Sequence, residues 1–132
     1  MTRMLIIVGL ALASCSKSEP AKSEPAKPEH SSAPVVDKDP ATARKLIASG
    51  ATVLDVRTPE EYADGHLPSA TNLPVQDVAQ RIADVDKLVG GDKTKPVVVY
   101  CAKGGRAAKA KQALEAAGYT NVVNGGGFAD LR

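Results

Sequence analysis

Apolar and polar positions divide the chain into three regimes. Met4 to Ala13 is a nearly unbroken apolar run, MLIIVGLALA. From Ser16 to Pro40 apolar side chains become sparse, five prolines appear and SEPAK is repeated in tandem. From there to Arg132 short apolar runs alternate with amphipathic ones. In this third regime Asp39 is placed to cap a helix with Pro40 at its first position, Leu46 and Ile47 within it and Gly50 at its end. ATVLDV at 51–56 predicts a buried strand. Thr58-Pro59-Glu60-Glu61 combines an N-cap, a first-turn proline and a capping-box glutamate, which start a short helix. Gly65-His66-Leu67-Pro68 predicts a turn, and Ala70–Leu73 a short strand. Val75, Val78, Ile82, Val85 and Leu88 keep helical spacing, which predicts one helix over 75–88 ended by Gly90-Gly91. PVVVY at 96–100 is the continuous apolar run of a central parallel strand covered on both faces. A helix over Ala107–Ala117, stopped by Gly118, and a last strand over Thr120–Val123 complete the pattern. Strands alternating with helices imply an α/β fold, a parallel sheet flanked by helices on both faces, with its ligand site beyond the carboxyl ends of the strands. Cys101 directly follows the strand expected at the centre.

The first regime has the layout of an export signal: one cation, Arg3, then the apolar run, then small residues. The run is far short of the roughly 20 residues that a membrane-spanning helix needs. Leu12-Ala13-Ser14-Cys15 resembles the bacterial lipobox, in which cleavage falls just before the cysteine and that cysteine receives the lipid. The expected organisation is a signal peptide over 1–14, a lipidated Cys15 with a disordered Pro-rich tether over 15–36, and one small domain over 37–132. This places the protein in the bacterial cell envelope, held to a membrane through its N-terminal lipid and facing the periplasm. His30 falls in the tether and reads as a solvated linker residue.

Composition narrows the chemistry. With aromatics at 3% and no tryptophan, the core must be built from Val, Ile, Leu and Ala. The formal charge of +2 falls to +1 once Arg3 leaves with the signal, and no basic run interleaved with aromatics suggests a nucleic-acid partner. No cofactor or metal is expected, and the protein reads as a monomer. The chain has two cysteines. If Cys15 carries lipid, Cys101 is the only thiol left in a compartment where thiols normally pair, and an intrachain disulfide is excluded.

The segment Cys101-Ala102-Lys103-Gly104-Gly105-Arg106 surrounds that thiol with the means to stabilise a sulfur anion. A helix N-terminus and nearby cations favour the thiolate, the reactive form of cysteine. Gly104 and Gly105 let the backbone curl so that successive amides point inward as an anion nest, and Lys103 and Arg106 add charge. A lone cysteine after a strand is more often a small core hydrophobe. Two glycines and two cations within five residues favour the active-site reading.

LDVRTPEEYADGHLPSATNLP at 54–74, VVVYCAKGGRAAKA at 97–110 and GYTNVVNGGGFADL at 118–131 resemble, in order, the blocks of the single-domain rhodanese (thiosulfate sulfurtransferase) family, nearest to its periplasmic phage-shock members. The resemblance implies a rhodanese fold and a sulfurtransferase that moves a sulfane sulfur from thiosulfate to cyanide or a thiol. It places the persulfide-forming catalytic position on Cys101 and the substrate-binding loop on Ala102, Lys103, Gly104, Gly105 and Arg106. The partners implied are a small anionic sulfur donor and a thiol or cyanide acceptor. Asp55, Arg57, Glu61 and His66 of the first block read as scaffold, with His66 buried and hydrogen-bonded in its turn. Asn124-Gly125-Gly126-Gly127-Phe128 reads as a backbone turn beside the active loop. The chain departs from longer rhodaneses in stopping at Arg132, without their C-terminal helix.

Three other functions fit parts of the pattern. A cysteine phosphatase of similar fold needs Cys-x5-Arg, but the spacing here is Cys101-x4-Arg106, with Ala107 where that arginine would stand. A non-catalytic binding module of the same fold has no use for the charged loop around Cys101. A dithiol redox protein needs a resolving cysteine, which the chain lacks.

Overall fold

The computed structural model describes residues 37–132. The expected signal peptide at 1–14 and the lipidated Cys15 and tether at 15–36 lie outside the described residues. Five helices and four strands follow in the order α1 (Pro40–Ala48), β1 (Thr52–Asp55), α2 (Pro59–Ala63), β2 (Ala70–Asn72), α3 (Ile82–Leu88), β3 (Val97–Cys101), α4 (Gly105–Ala116), β4 (Val122–Gly127) and α5 (Phe128–Leu131) among these residues. The strands form one parallel sheet in the order β2-β1-β3-β4. β1 and β3 are therefore its interior strands, paired from Thr52↔Val97 to Asp55↔Tyr100.

The caps form as the residue types require. Asp39 accepts the Thr42 amide at 2.9 Å at the start of α1. Thr58 and Glu61 make a reciprocal capping box on α2, with Glu61 N donating to Thr58 Oγ1 at 3.3 Å and Thr58 N to Glu61 Oε2 at 3.1 Å. Strand alternation sorts the core into two clusters, one per face. Leu54, Val97, Val99 and Cys101 pack with Val85 of α3 and Ala107, Ala110 and Leu114 of α4. Val53, Val98 and Tyr100 pack on the other face with Ala43 of α1 and Leu131 of α5. Helices thus cover both faces, as expected.

Several sequence expectations are corrected. The helix over 75–88 exists only as Ile82–Leu88. The Val75 amide is taken by the Val56 carbonyl at the end of β1, and residues 75–80 then run in tight turns such as Asp77 N to Pro74 O and Gln80 N to Asp77 O. Val78 still reaches the core, and this is why the apolar spacing mimics a longer helix. The last strand spans Val122–Gly127 rather than Thr120–Val123, so the glycine block is strand, not turn. Its register against β3 shifts between Val99↔Asn124 and Cys101↔Gly127, which gives β4 one residue more than β3. The helix after the active loop starts at Gly105 rather than Ala107, and Cys101 is the last residue of β3 rather than the residue after it. His66 is exposed, stacked on Tyr62 with ring centroids 3.7 Å apart. Its Nδ1 lies 2.9 Å from the Tyr62 carbonyl, so the turn holds the ring on the surface. Residues 128–131 add a one-turn helix, α5.

One buried polar group joins the interior strands. Asp55, fully buried at the end of β1, accepts Arg57 Nε at 3.0 Å and Nη2 at 2.6 Å, and the Tyr100 hydroxyl of β3 at 2.8 Å. Arg57 Nη2 also donates to the Gly65 carbonyl at 2.7 Å, and the Tyr100 oxygen accepts the Leu67 amide at 3.1 Å. Burial pushes the Tyr100 hydroxyl well above its ordinary pKa, and the hydrogen bond to Asp55 raises the Arg57 guanidinium further. Asp55→Ala, which leaves Arg57 buried without its carboxylate, should cost about 3–5 kcal/mol of unfolding free energy. Tyr100→Phe, which orphans only the Leu67 amide, should cost about 1–3 kcal/mol, and denaturant titration of the two variants checks the order.

Candidate active site

The carboxyl end of β3 delivers Cys101 into a loop that turns back at once into α4. The cysteine is 1% exposed, and the Gly104 amide donates to its Sγ at 3.0 Å. Gly104 holds φ +101, a left-handed conformation that a side chain would strain, and serves as the N-cap of α4. Gly105 has no such demand: a Cβ built on it meets nothing within 4 Å, and its position is exposed. The first intrahelical bond of α4 is Ala108 N to Gly104 O at 2.9 Å. The amides of Gly105, Arg106 and Ala107 come before it and have no helical acceptor. Together with Gly104 N they make the end of α4 a positive lining beside the sulfur. Ala102 and Lys103 form the exposed rim.

Arg106 is not a free cation. Its Nη1 donates to Glu61 Oε2 at 2.6 Å and its Nη2 to Glu61 Oε1 at 2.9 Å, a bidentate pair between α4 and α2. The Arg106 hydrogen bonds hold the Glu61 carboxyl at about 2, well below its ordinary 4.5, with the Thr58 amide adding to the effect against partial desolvation. The same pairing raises Arg106, and the neighbouring Cys101 sulfur contributes in the same sense. Of the two cations in the loop, Lys103 stands exposed and Arg106 shares its charge with a carboxylate.

The loop is also held from the side of β4. Asn124, 1% exposed, donates Nδ2 to the Gly104 carbonyl at 3.1 Å and accepts the Gly126 amide on Oδ1 at 2.9 Å. A Cβ on Gly127 would stand 2.6 Å from the Ala102 carbonyl oxygen, so only glycine lets the strand lie this close to the active loop. Beyond it, the Gly127 amide donates to Asp130 Oδ2 at 2.9 Å, which starts α5.

All the residues singled out around the thiol, 101 to 106, therefore come together. Cys15 lies outside the described residues. Glu61, Asn124 and Gly127 are the supports that reading the chain alone assigned to capping and to a turn. A usable signal for Glu61 was the fold itself: adjacent parallel strands put the residues following β1 and β3 side by side at one edge of the sheet. Asp55 and Arg57 form the scaffold that was expected of them. A surface cleft of about 190 Å³ is lined by Asp37, Ala108, Lys111, Gln112 and Glu115 and includes none of residues 101–106. Chemistry rather than cavity size marks the site. Among the described residues no cluster of His, Cys, Asp and Glu is suited to a metal ion.

Comparison with known proteins agrees with this geometry. A family model described as rhodanese-like domain matches residues 39–130. The chain is similar to the thiosulfate sulfurtransferase PspE of Escherichia coli K12, 41% identical over 78 residues that cover 59% of this chain and 71% of that protein. It is 37% identical over 90 residues to the thiosulfate sulfurtransferase GlpE of Pseudomonas entomophila, covering 67% and 77% of the two chains. Among solved structures, one described as rhodanese with anions from E. coli matches with a TM-score of 0.55 at 40% identity, covering 61% of this chain and 89% of the other.

The Glu61–Arg106 pair has a testable pH signature. Because the folded carboxyl titrates at about 2 and an unperturbed one at 4.5, the pair stabilises the fold fully above pH 4.5 and its contribution is lost as the pH falls toward 2. The melting temperature of wild type should exceed that of Glu61→Gln at pH 6, and the gap should close on acidification. A constant gap from pH 6 to pH 2 would contradict the assignment.

Proposed function

The chain belongs to the rhodanese-like family, and on that premise we propose that it is a thiosulfate sulfurtransferase working through a persulfide on Cys101. The observation that carries the reading is the Gly104 amide aimed at Cys101 Sγ from 3.0 Å, at the carboxyl end of an interior strand and the start of a helix. A single sulfur anion fits a nest made by one short loop. The thiolate of Cys101 attacks the outer sulfur of thiosulfate, a new S–S bond forms, and sulfite leaves with the electron pair of the bond that breaks. The persulfide anion that remains is stabilised by the same amides that lined the thiolate. Cyanide, or a small thiol as its thiolate, then attacks the outer sulfur and takes it as thiocyanate or as a new persulfide. The electron pair returns to Cys101. Lys103 and Arg106 face the anionic donor and the departing sulfite.

Thiosulfate treatment should add the mass of one sulfur to the peptide carrying Cys101, and cyanide should remove it. Cys101→Ser should abolish both the adduct and turnover. Absence of an adduct in wild type, or equal transfer by the serine variant, would overturn the reading.

We propose further that Cys15 is the lipid-bearing N-terminus of the mature chain, which tethers the domain to an envelope membrane on its periplasmic side. Support comes from Leu12-Ala13-Ser14-Cys15 after the apolar run and from the Pro-rich stretch beyond it. Mass spectrometry of the native N-terminus should find an acylated Cys15, and Cys15→Ser should release the protein from membranes. An unmodified terminus at another residue refutes the anchor.

A further inference from the structure

Glu61 already has a function as the capping-box residue of α2, yet both of its carboxylate oxygens also hold Arg106. The arginine needs holding. It occupies the second position of α4, where the positive end of the helix dipole disfavours a cation, and its long side chain has many rotamers to explore. Without a partner it would swing into solvent and away from the loop. Glu61 is itself fixed, since the Thr58 amide donates to Oε2 at 3.1 Å. A chain of contacts thus runs from the start of α2, through a preset carboxylate, to a guanidinium in the first turn of the helix that follows the Cys101 loop.

We propose that Glu61 is a positioning residue for sulfur transfer, holding the Arg106 guanidinium beside Cys101 so that the anionic donor meets a cation already in place. This rests on the sulfurtransferase reading above. The bidentate geometry matters more than the charge. A glutamine keeps one acceptor oxygen but turns an amide N–H₂ toward the second guanidinium nitrogen, so the two-pronged grip is lost. The pair is only partly buried, with both side chains 34% exposed, which leaves the guanidinium open to an incoming anion on its solvent side.

The test compares Glu61→Gln, Arg106→Ala, their double variant and Thr58→Ala in the full-length protein. Glu61→Gln and Arg106→Ala should each raise the KM for thiosulfate about tenfold, the loss of one charge-assisted contact, with kcat changed less. Adding Glu61→Gln to Arg106→Ala should raise KM no further. Thr58→Ala removes the cap acceptor for the Glu61 amide but leaves the ion pair, so it should lower the melting temperature without moving KM. A second readout needs no turnover: the ratio of alkylation rates of Cys101 by iodoacetate and iodoacetamide, followed on its peptide by mass spectrometry. That ratio should fall in Glu61→Gln, by less than the roughly threefold that one unit charge leaving from about 6 Å produces in water, because the Glu61 charge goes with it. A ratio that rises would mean Glu61 merely neutralises an arginine that stays in place. That result overturns the proposal, as does an unchanged ratio, a KM that rises further in the Arg106→Ala background, or a Thr58→Ala variant with the same KM defect. Should no variant, wild type included, turn over thiosulfate, the sulfurtransferase reading fails and the alkylation ratio alone decides whether Glu61 positions Arg106.

Discussion

The buried carboxylate of Asp55 is the constraint on which the rest of the molecule depends. A charge at the end of an interior strand is tolerated only when its oxygens are filled, and here Arg57 two residues on and the Tyr100 hydroxyl across the sheet fill them, each in turn holding the loop at Gly65 and Leu67. Those bonds clamp the carboxyl ends of β1 and β3 together. Each of the two strand ends leads directly into a piece of the site, β1 into α2 with Glu61 and β3 into the loop with Cys101. The distance between a carboxylate on one helix and a guanidinium on another is thereby set in the core, before either side chain is considered.

Around the thiol, dipoles rather than surplus cations provide the stabilisation. One loop cation is shared with a carboxylate, whereas the Gly104 amide and the unpaired first-turn amides of α4 keep their full strength. Fixed dipoles held by the backbone cost no reorganisation when negative charge develops beside them. Asn124 and Gly127 hold the geometry of that backbone from β4, one through the Gly104 carbonyl and the other by leaving no room beside Ala102.

Much of this was legible in the order of residues. The caps at Asp39 and Thr58, the interior strand at PVVVY and the tight loop between Cys101 and Gly105 are local features, and local chemistry decides them. The stretch from Val75 to Val78 was misread because its apolar spacing suits a helix. The Val56 carbonyl captures the Val75 amide, a tertiary contact that no periodicity reveals. Asn124 to Gly127 looked like a turn because glycines usually mark one. In this fold they mark a strand packed so closely on Leu131, Ala43 and Ala102 that side chains are excluded. The pairing of Glu61 with Arg106 spans 45 positions and became visible only once the strand order was known.

Three glycines around the loop, Gly104, Gly105 and Gly127, differ in what holds them. Gly104 is held by its left-handed φ and Gly127 by the carbonyl against it, whereas Gly105 has neither restriction. A lineage carrying this fold can therefore vary position 105 at little structural cost, and a side chain gained there projects into open space at the exposed start of α4. Variation at the mouth of the loop would then run through that one codon, while Gly104 and Gly127 admit no side chain without strain or collision.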